Sequence, residues 1–107
     1  MSLRWPPKDK DELLDYSLDW SRALATGETI VGVFWHIVNS SGDKVSFNPS
    51  ENVDGLTSVS QTNTSTVTTI YLANGTDNKD YKLFCNVTTS LGLNKERTVK
   101  LRIREYN

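Results

Sequence analysis

Apolar residues recur at every second position along most of this chain. Leu14, Tyr16, Leu18 and Trp20 alternate with Asp15, Ser17, Asp19 and Ser21. A period of two marks a strand with one face in a core. On a helix, Leu14 and Leu18 would share a face while Tyr16 and Trp20 spread around it. Ala23 to Gly27 break the pattern. A second strand is expected from about Glu28 to Val38, with Val31, Val33, Trp35 and Ile37 on one face. Ile30, Gly32, Phe34 and His36 take the other, and apolar groups on both faces predict a central strand. Asn39-Ser40-Ser41-Gly42-Asp43 is a turn signal. Lys44 to Phe47 reads as a short strand ended by Asn48-Pro49.

The segment from Asn52 to Asn63 is polar and reads as irregular, with Leu56 and Val59 as anchors. Thr64 to Leu72 is rich in Thr, Val and Ile and reads as a strand. Asn74 to Lys79 is too long and polar for a two-residue hairpin, so a crossover is expected there. Tyr81, Leu83, Cys85 and Val87, then Val99, Leu101 and Ile103, alternate with polar partners on either side of Ser90-Leu91-Gly92-Leu93-Asn94. That is a hairpin with one face buried. With no helical segment, six or seven antiparallel strands predict an all-β, immunoglobulin-like sandwich. Residues 13–107 form this domain. Residues 1–12 form an extended arm, because Trp5-Pro6-Pro7-Lys8 fits neither a helix nor a central strand. Asp9 to Glu12 turn the chain into the first strand. Trp20, Trp35, Tyr81, Leu83, Cys85, Val87, Leu101 and Ile103 are expected to point inward. Trp5 falls outside every strand pattern. The arm is expected to be ordered by a neighbouring subunit in preference to its own sandwich, so that its deletion weakens assembly and leaves the fold intact.

Composition narrows the chemistry. The 107 residues fit one domain. A net charge of −1 lacks the basic excess of nucleic-acid modules, so no nucleic-acid partner is expected. No apolar run reaches the roughly 18 residues of a spanning helix, and Met1 to Pro7 lack an apolar signal core, so neither a membrane nor a secretory route is expected. Cys85 stands alone, which rules out an intrachain disulfide, and its alternating position reads as a small buried hydrophobe. His36 is the single histidine, and no partner lies at metal-ligand spacing. There is no phosphate-binding glycine loop. Asp9, Asp11, Glu12, Asp15 and Asp19 read as a solvated face. The sequons at Asn39, Asn63, Asn74 and Asn86 follow from the abundance of Asn, Ser and Thr. No catalytic residue, cofactor or metal is expected.

Two stretches carry family resemblances. Asp80 to Ile103, DYKLFCNVTTSLGLNKERTVKLRI, resembles the closing hairpin of immunoglobulin-like modules, including the polycystic-kidney-disease type. Leu3 to Ser21, LRWPPKDKDELLDYSLDWS, resembles the opening of small tailed-phage proteins of the fiber-tail adaptor type. There a PPKDPDE arm leads into an LDYxxDWS strand, followed by TxxxWLxGG and YxxxxxVTTxxGR segments. The counterparts are Pro6 to Glu12, Leu14 to Ser21, Thr69 to Gly75 and Tyr81 to Gly92. Lys10 stands in place of the third proline of that arm pattern, Ala73-Asn74 in place of small glycines, and Asn39 to Asn63 is longer than the family pattern.

The resemblance implies a virion structural protein, a tail or head-tail adaptor linking tail components to fibers or neighbouring subunits. It would be made in the bacterial cytoplasm and would form a homo-oligomer in the particle. The alternative is a host-surface or carbohydrate-binding module using Phe34, Phe47 or Tyr106 as exposed aromatics. Candidate partner-binding residues are Trp5, Pro6 and Pro7 of the arm, the acids Asp15 and Asp19, and the bases Lys100, Arg102 and Arg104. Lys8 to Asp19 carries a net charge of −3 and Lys95 to Glu105 a net +3. In immunoglobulin-like sandwiches the first and last strands commonly run side by side, so these opposite charges are expected to meet on the surface within one subunit. The sharper reading is that the acidic face of one subunit meets the basic face of the next, and the contact repeated around a ring closes an oligomer.

Overall fold

The computed structural model describes residues 3–104. It holds nine strands and no helix among those residues: β1 Leu3–Arg4, β2 Leu14–Asp19, β3 Ile30–Val38, β4 Lys44–Ser46, β5 Asn52–Val53, β6 Leu56–Asn63, β7 Val67–Asn74, β8 Asp80–Thr89 and β9 Asn94–Arg102. They form a five-stranded sheet of order β1-β9-β8-β3-β4 and a four-stranded sheet of order β2-β7-β6-β5. This is the two-sheet layout expected of an immunoglobulin-like sandwich, with the Trp-bearing strand and the closing hairpin in one sheet. All eight residues expected to point inward are buried. Trp35 lies opposite Cys85 in the β3–β8 register. Six to seven antiparallel strands were expected. The larger number comes from the two-residue strands β1 and β5 and from β6, which lies in the segment read as irregular, and β1 runs parallel to β9.

Three local readings change. Asn52 to Asn63 is a hairpin, β5 paired with β6. Its turn is Asp54-Gly55, with φ of +50° and +93°. Asp-Gly is the pair that two-residue hairpin loops favour, because both positions need positive φ. Leu56 is fully buried, whereas Val59 is exposed, because the β6–β7 register slips between Ser58 and Ser60. In β3 a bulge between Ile30 and Gly32 swaps the faces at the strand's start. Ile30 is buried with Trp35 and Ile37, and Val31 is turned out at 63% exposure. The extra residue of a bulge reverses the alternation beyond it.

The arm is the larger correction. Its described residues lie across their own sandwich. Trp5 N–H donates to the Lys100 carbonyl (3.0 Å), Lys8 N–H to Arg102 (2.9 Å), and Arg104 N–H to Lys8 (2.8 Å). Trp5 is part of the core. It stacks on Tyr16 with ring centroids 4.8 Å apart and meets Trp35 at 6.0 Å. Lys8 is fully buried, and its ammonium donates to the carbonyls of Asp9 (2.7 Å) and Asn74 (2.8 Å). Burial pulls its pKa below the usual lysine value, against the opposing pull of Glu12, Asp9 and Asp11. A sandwich of this size has little core to spare, and a tryptophan supplied by the arm fills space the strands leave open. Asp9 to Glu12 do form the expected turn, with Glu12 N–H bonded to the Asp9 carbonyl and Asp11 N–H to the Asp9 carboxylate.

The crossover at Asn74 to Lys79 carries the chain from β7 in one sheet to β8 in the other. Buried Tyr81 ties it down, its hydroxyl donating to the Asp54 carbonyl (2.6 Å) and accepting from Thr76 N–H (2.9 Å).

Candidate interaction surfaces

Because β1 takes the place beside β9, strand β2 sits in the opposite sheet. Asp15 and Asp19 are therefore carried on the sheet opposite Lys100 and Arg102, whereas Asp9, Asp11 and Glu12 lie in the turn that follows Lys8, whose backbone pairs with the end of β9. The expectation that the first long strand lies beside the last is corrected: the arm occupies that slot.

On the outward face of the five-stranded sheet, register places Arg4 opposite Lys100, and Lys100 opposite Lys82. Like charges directly across a pair of strands destabilise a sheet. Among the described residues no carboxylate makes an ion pair with any of these three. Lys44, on the far strand of the same face, pairs with Glu96 (2.7 Å) and lies 4.2 Å from the Phe84 ring centroid. Arg102 is held by its own chain, one nitrogen reaching both carboxylate oxygens of Asp80 at 3.1 Å. Arg104 is exposed just beyond β9. Outward strand positions of this sheet thus carry Arg4, Lys44, Lys82, Lys100 and Arg102 against Asp80 and Glu96, a net +3 on a chain of net −1. Phe34, 60% exposed, stands on the same face. So do three buried polar atoms that find no hydrogen-bond partner among the described residues: His36 Nδ1, Asn86 Oδ1 and Arg102 Nε. Buried polar atoms in folded proteins are seldom left unpaired.

The outward face of the four-stranded sheet is built differently. Asp15, Ser17 and Asp19 of β2 lie opposite Tyr71, Thr69 and Val67 of β7. Beyond them, β6 contributes Thr57, Ser60 and Thr62. Its strand positions hold two carboxylates and no cation. Ser17 and Thr69 share a hydrogen bond of 2.8 Å. The Ser21 N–H, 2.9 Å from the Asp19 carboxylate, and the Ser21 hydroxyl hold Asp19 below the usual carboxylate range. Arg97 does not pair with that carboxylate. It donates to the Asp19 carbonyl and covers the Trp20 ring at 4.7 Å. β2 is also a free edge, and charges on an edge strand discourage unwanted pairing.

The remaining candidates separate. Pro6 and Pro7 are exposed, although the Pro6 carbonyl accepts from Tyr16. Phe47 is fully buried, so it cannot join an aromatic binding face. Its N–H bonds to Trp35, which turns the side chain into the core. Tyr106 lies outside the described residues. Cys85 is buried, and burial pushes its thiol up to about 11 against the opposing Thr68 hydrogen bond. Lys82 and Arg4 were missed as site residues from the sequence. Their outward alternation was readable, but the register that lines them up with Lys100 was not.

No curated protein matches this chain. The profile of the family described as podophage GP4 fiber-tail adaptor protein gp77 matches residues 8–102, from the buried lysine of the arm to the last residue of β9. The chain belongs to that family of phage fiber-tail adaptor proteins.

Proposed function

We propose that this chain is a non-enzymatic structural component of the virion, made in the host cytoplasm. Several copies join face to face around the tail and bridge it to the fibers. The family assignment supports the virion role and the binding of other tail and fiber proteins. The observation that carries the assembly reading is the sorting of charge between the two sheets. The Arg4–Lys100–Lys82 row is destabilising for an isolated chain, and a partner carboxylate would relieve it. Asp15 and Asp19 on the opposite sheet of a second copy supply that partner. Because the two surfaces differ and lie on opposite sides of the sandwich, the contact is heterologous. Repeated with a rotation, it closes a ring. Pro6, Pro7 and Arg104 border this surface in the proposal, and Trp5 acts behind it by fixing Arg4 in register.

The test is sedimentation of the parent and of Lys82→Glu/Lys100→Glu at low and moderate salt. The parent should show a higher oligomer whose population falls as salt rises. The double variant should remain monomeric while melting cooperatively. Identical sedimentation of the two proteins would remove the charged contact.

A further inference from the structure

Strand β3 is only partly covered on the side away from β8. β4 pairs with His36–Val38 alone, and one further bond joins Phe47 N–H to the Trp35 carbonyl (3.0 Å). There the chain turns away through Asn48-Pro49. At the other end, Ile30 N–H donates to the Ser65 carbonyl (2.9 Å). Between these anchors lie Val31, Gly32, Val33 and Phe34. In an antiparallel sheet successive residues point their N–H and C=O to opposite sides. The Trp35 carbonyl points toward β4, so the Val33 N–H and C=O point the same way, where no strand of the described residues lies. They face a groove of about 250 Å³ lined by Val31, Gly32, Val33, Pro49, Gln61, Thr62 and Asn63. The Gln61 amide is already committed to the Phe47 carbonyl and Ser58, and the Asn63 amide to the Thr64 carbonyl.

We propose that this gap is a docking site for an extended, uncharged segment of another tail or fiber protein, which adds a short strand to β3 where β4 leaves off. The partner's identity rests on the adaptor reading above, whereas the site rests on the open edge. The chemistry of the groove selects the occupant. A donor and an acceptor on one residue, aimed into a groove along a strand, match the backbone of a second strand. No lining residue is charged, which disfavours an acidic or basic segment. The volume is below the roughly 300 Å³ at which drug-sized ligand sites begin, and the gap of four residues spans about 13 Å of strand. Val31 beside it is 63% exposed, an apolar contact for a partner's β-branched side chain. The free edge of β2 differs, because it carries Asp15 and Asp19 as guards, and the β3 gap has none.

Hydrogen exchange of the free chain and of the chain in purified tails tests this. The Val33 amide should exchange freely in the isolated protein and about tenfold or more slowly in tails. Asn63→Trp puts bulk into the groove from an exposed position. This variant should melt like the parent yet load onto tails lacking the protein at a tenth of the parent's level or less. A chain that loads while Val33 stays unprotected overturns the docking site and leaves the adaptor role standing. A chain that never joins tails overturns both. A specific hit on a glycan array that Asn63→Trp abolishes would reassign the groove to a sugar.

Discussion

Replacing Trp5 by Ala separates an arm that belongs to the core from one that waits for a neighbour. Trp5 is only 8% exposed and sits between the Tyr16 and Trp35 rings. Tryptophan-to-alanine changes in cores cost about 3–5 kcal/mol, of which stacking contributes about 0.5–1.5 kcal/mol. Trp5 packs at the margin, beside the outermost strand of its sheet, so partial collapse should hold the cost near 3 kcal/mol. Domains of this size are stable by roughly 5–15 kcal/mol in all. The midpoint should fall by about 10 °C or more, since each kcal/mol shifts it by about 4 °C in a domain near 100 residues. Circular dichroism in a urea series measures the change without relying on the lost indole. The series should be run at two protein concentrations about a hundredfold apart. Because the arm docks on its own chain, the loss should be the same at both. A cost below about 1 kcal/mol, or one that depends on concentration, would refute the reasoning. By the same logic, removing residues 1–8 destabilises the fold itself, contrary to what the sequence led us to expect.

Three further outcomes follow from the geometry. Gly75 has φ of +117°, and a Cβ there would sit 2.8 Å from the Ile103 side chain, so Gly75→Ala should cost about 1–3 kcal/mol in urea unfolding. Cys85 should resist a thiol reagent at pH 8 until the protein unfolds, because its thiol is buried and titrates near 11; rapid native-state labelling would contradict that environment. Hydrogen bonds from the Thr89 hydroxyl and the Ala25 N–H hold Glu28 below the usual carboxylate range. Its folded pKa is therefore lower than its unfolded one, so its contribution is present above about 4.5 and fades as pH falls through the folded value. Glu28→Gln should flatten the acid limb of stability against pH in that window, and an unchanged limb would count against it.

Most of the long strands were legible because they alternate over six or more residues with one face in the core. Trp20, Trp35 and the Tyr81–Val87 series could be placed without knowing their neighbours. The β5–β6 hairpin was hidden because its positions are mostly Ser, Thr and Asn, so polar residues fill both faces and the period vanishes. Only Asp54-Gly55 signalled it. The bulge at Val31 left no mark in a run where every residue but Gly32 and His36 is apolar. Trp5 was misread for a different reason. A single aromatic flanked by prolines has no periodicity, and its burial depends on a gap that exists only once both sheets have assembled. The charged surfaces were half legible. Outward alternation identified Lys100 and Arg102, but the Arg4–Lys100–Lys82 row depends on cross-strand register, and the parallel pairing of β1 that supplies Arg4 had no counterpart in the pattern.

The central claim is that this chain joins fibers to the tail, and particles assembled without it test that most directly. Electron microscopy of such particles should show tails lacking their fibers, with fibers restored when the purified chain is added back. Tails that keep a full set of fibers in its absence would contradict the adaptor role.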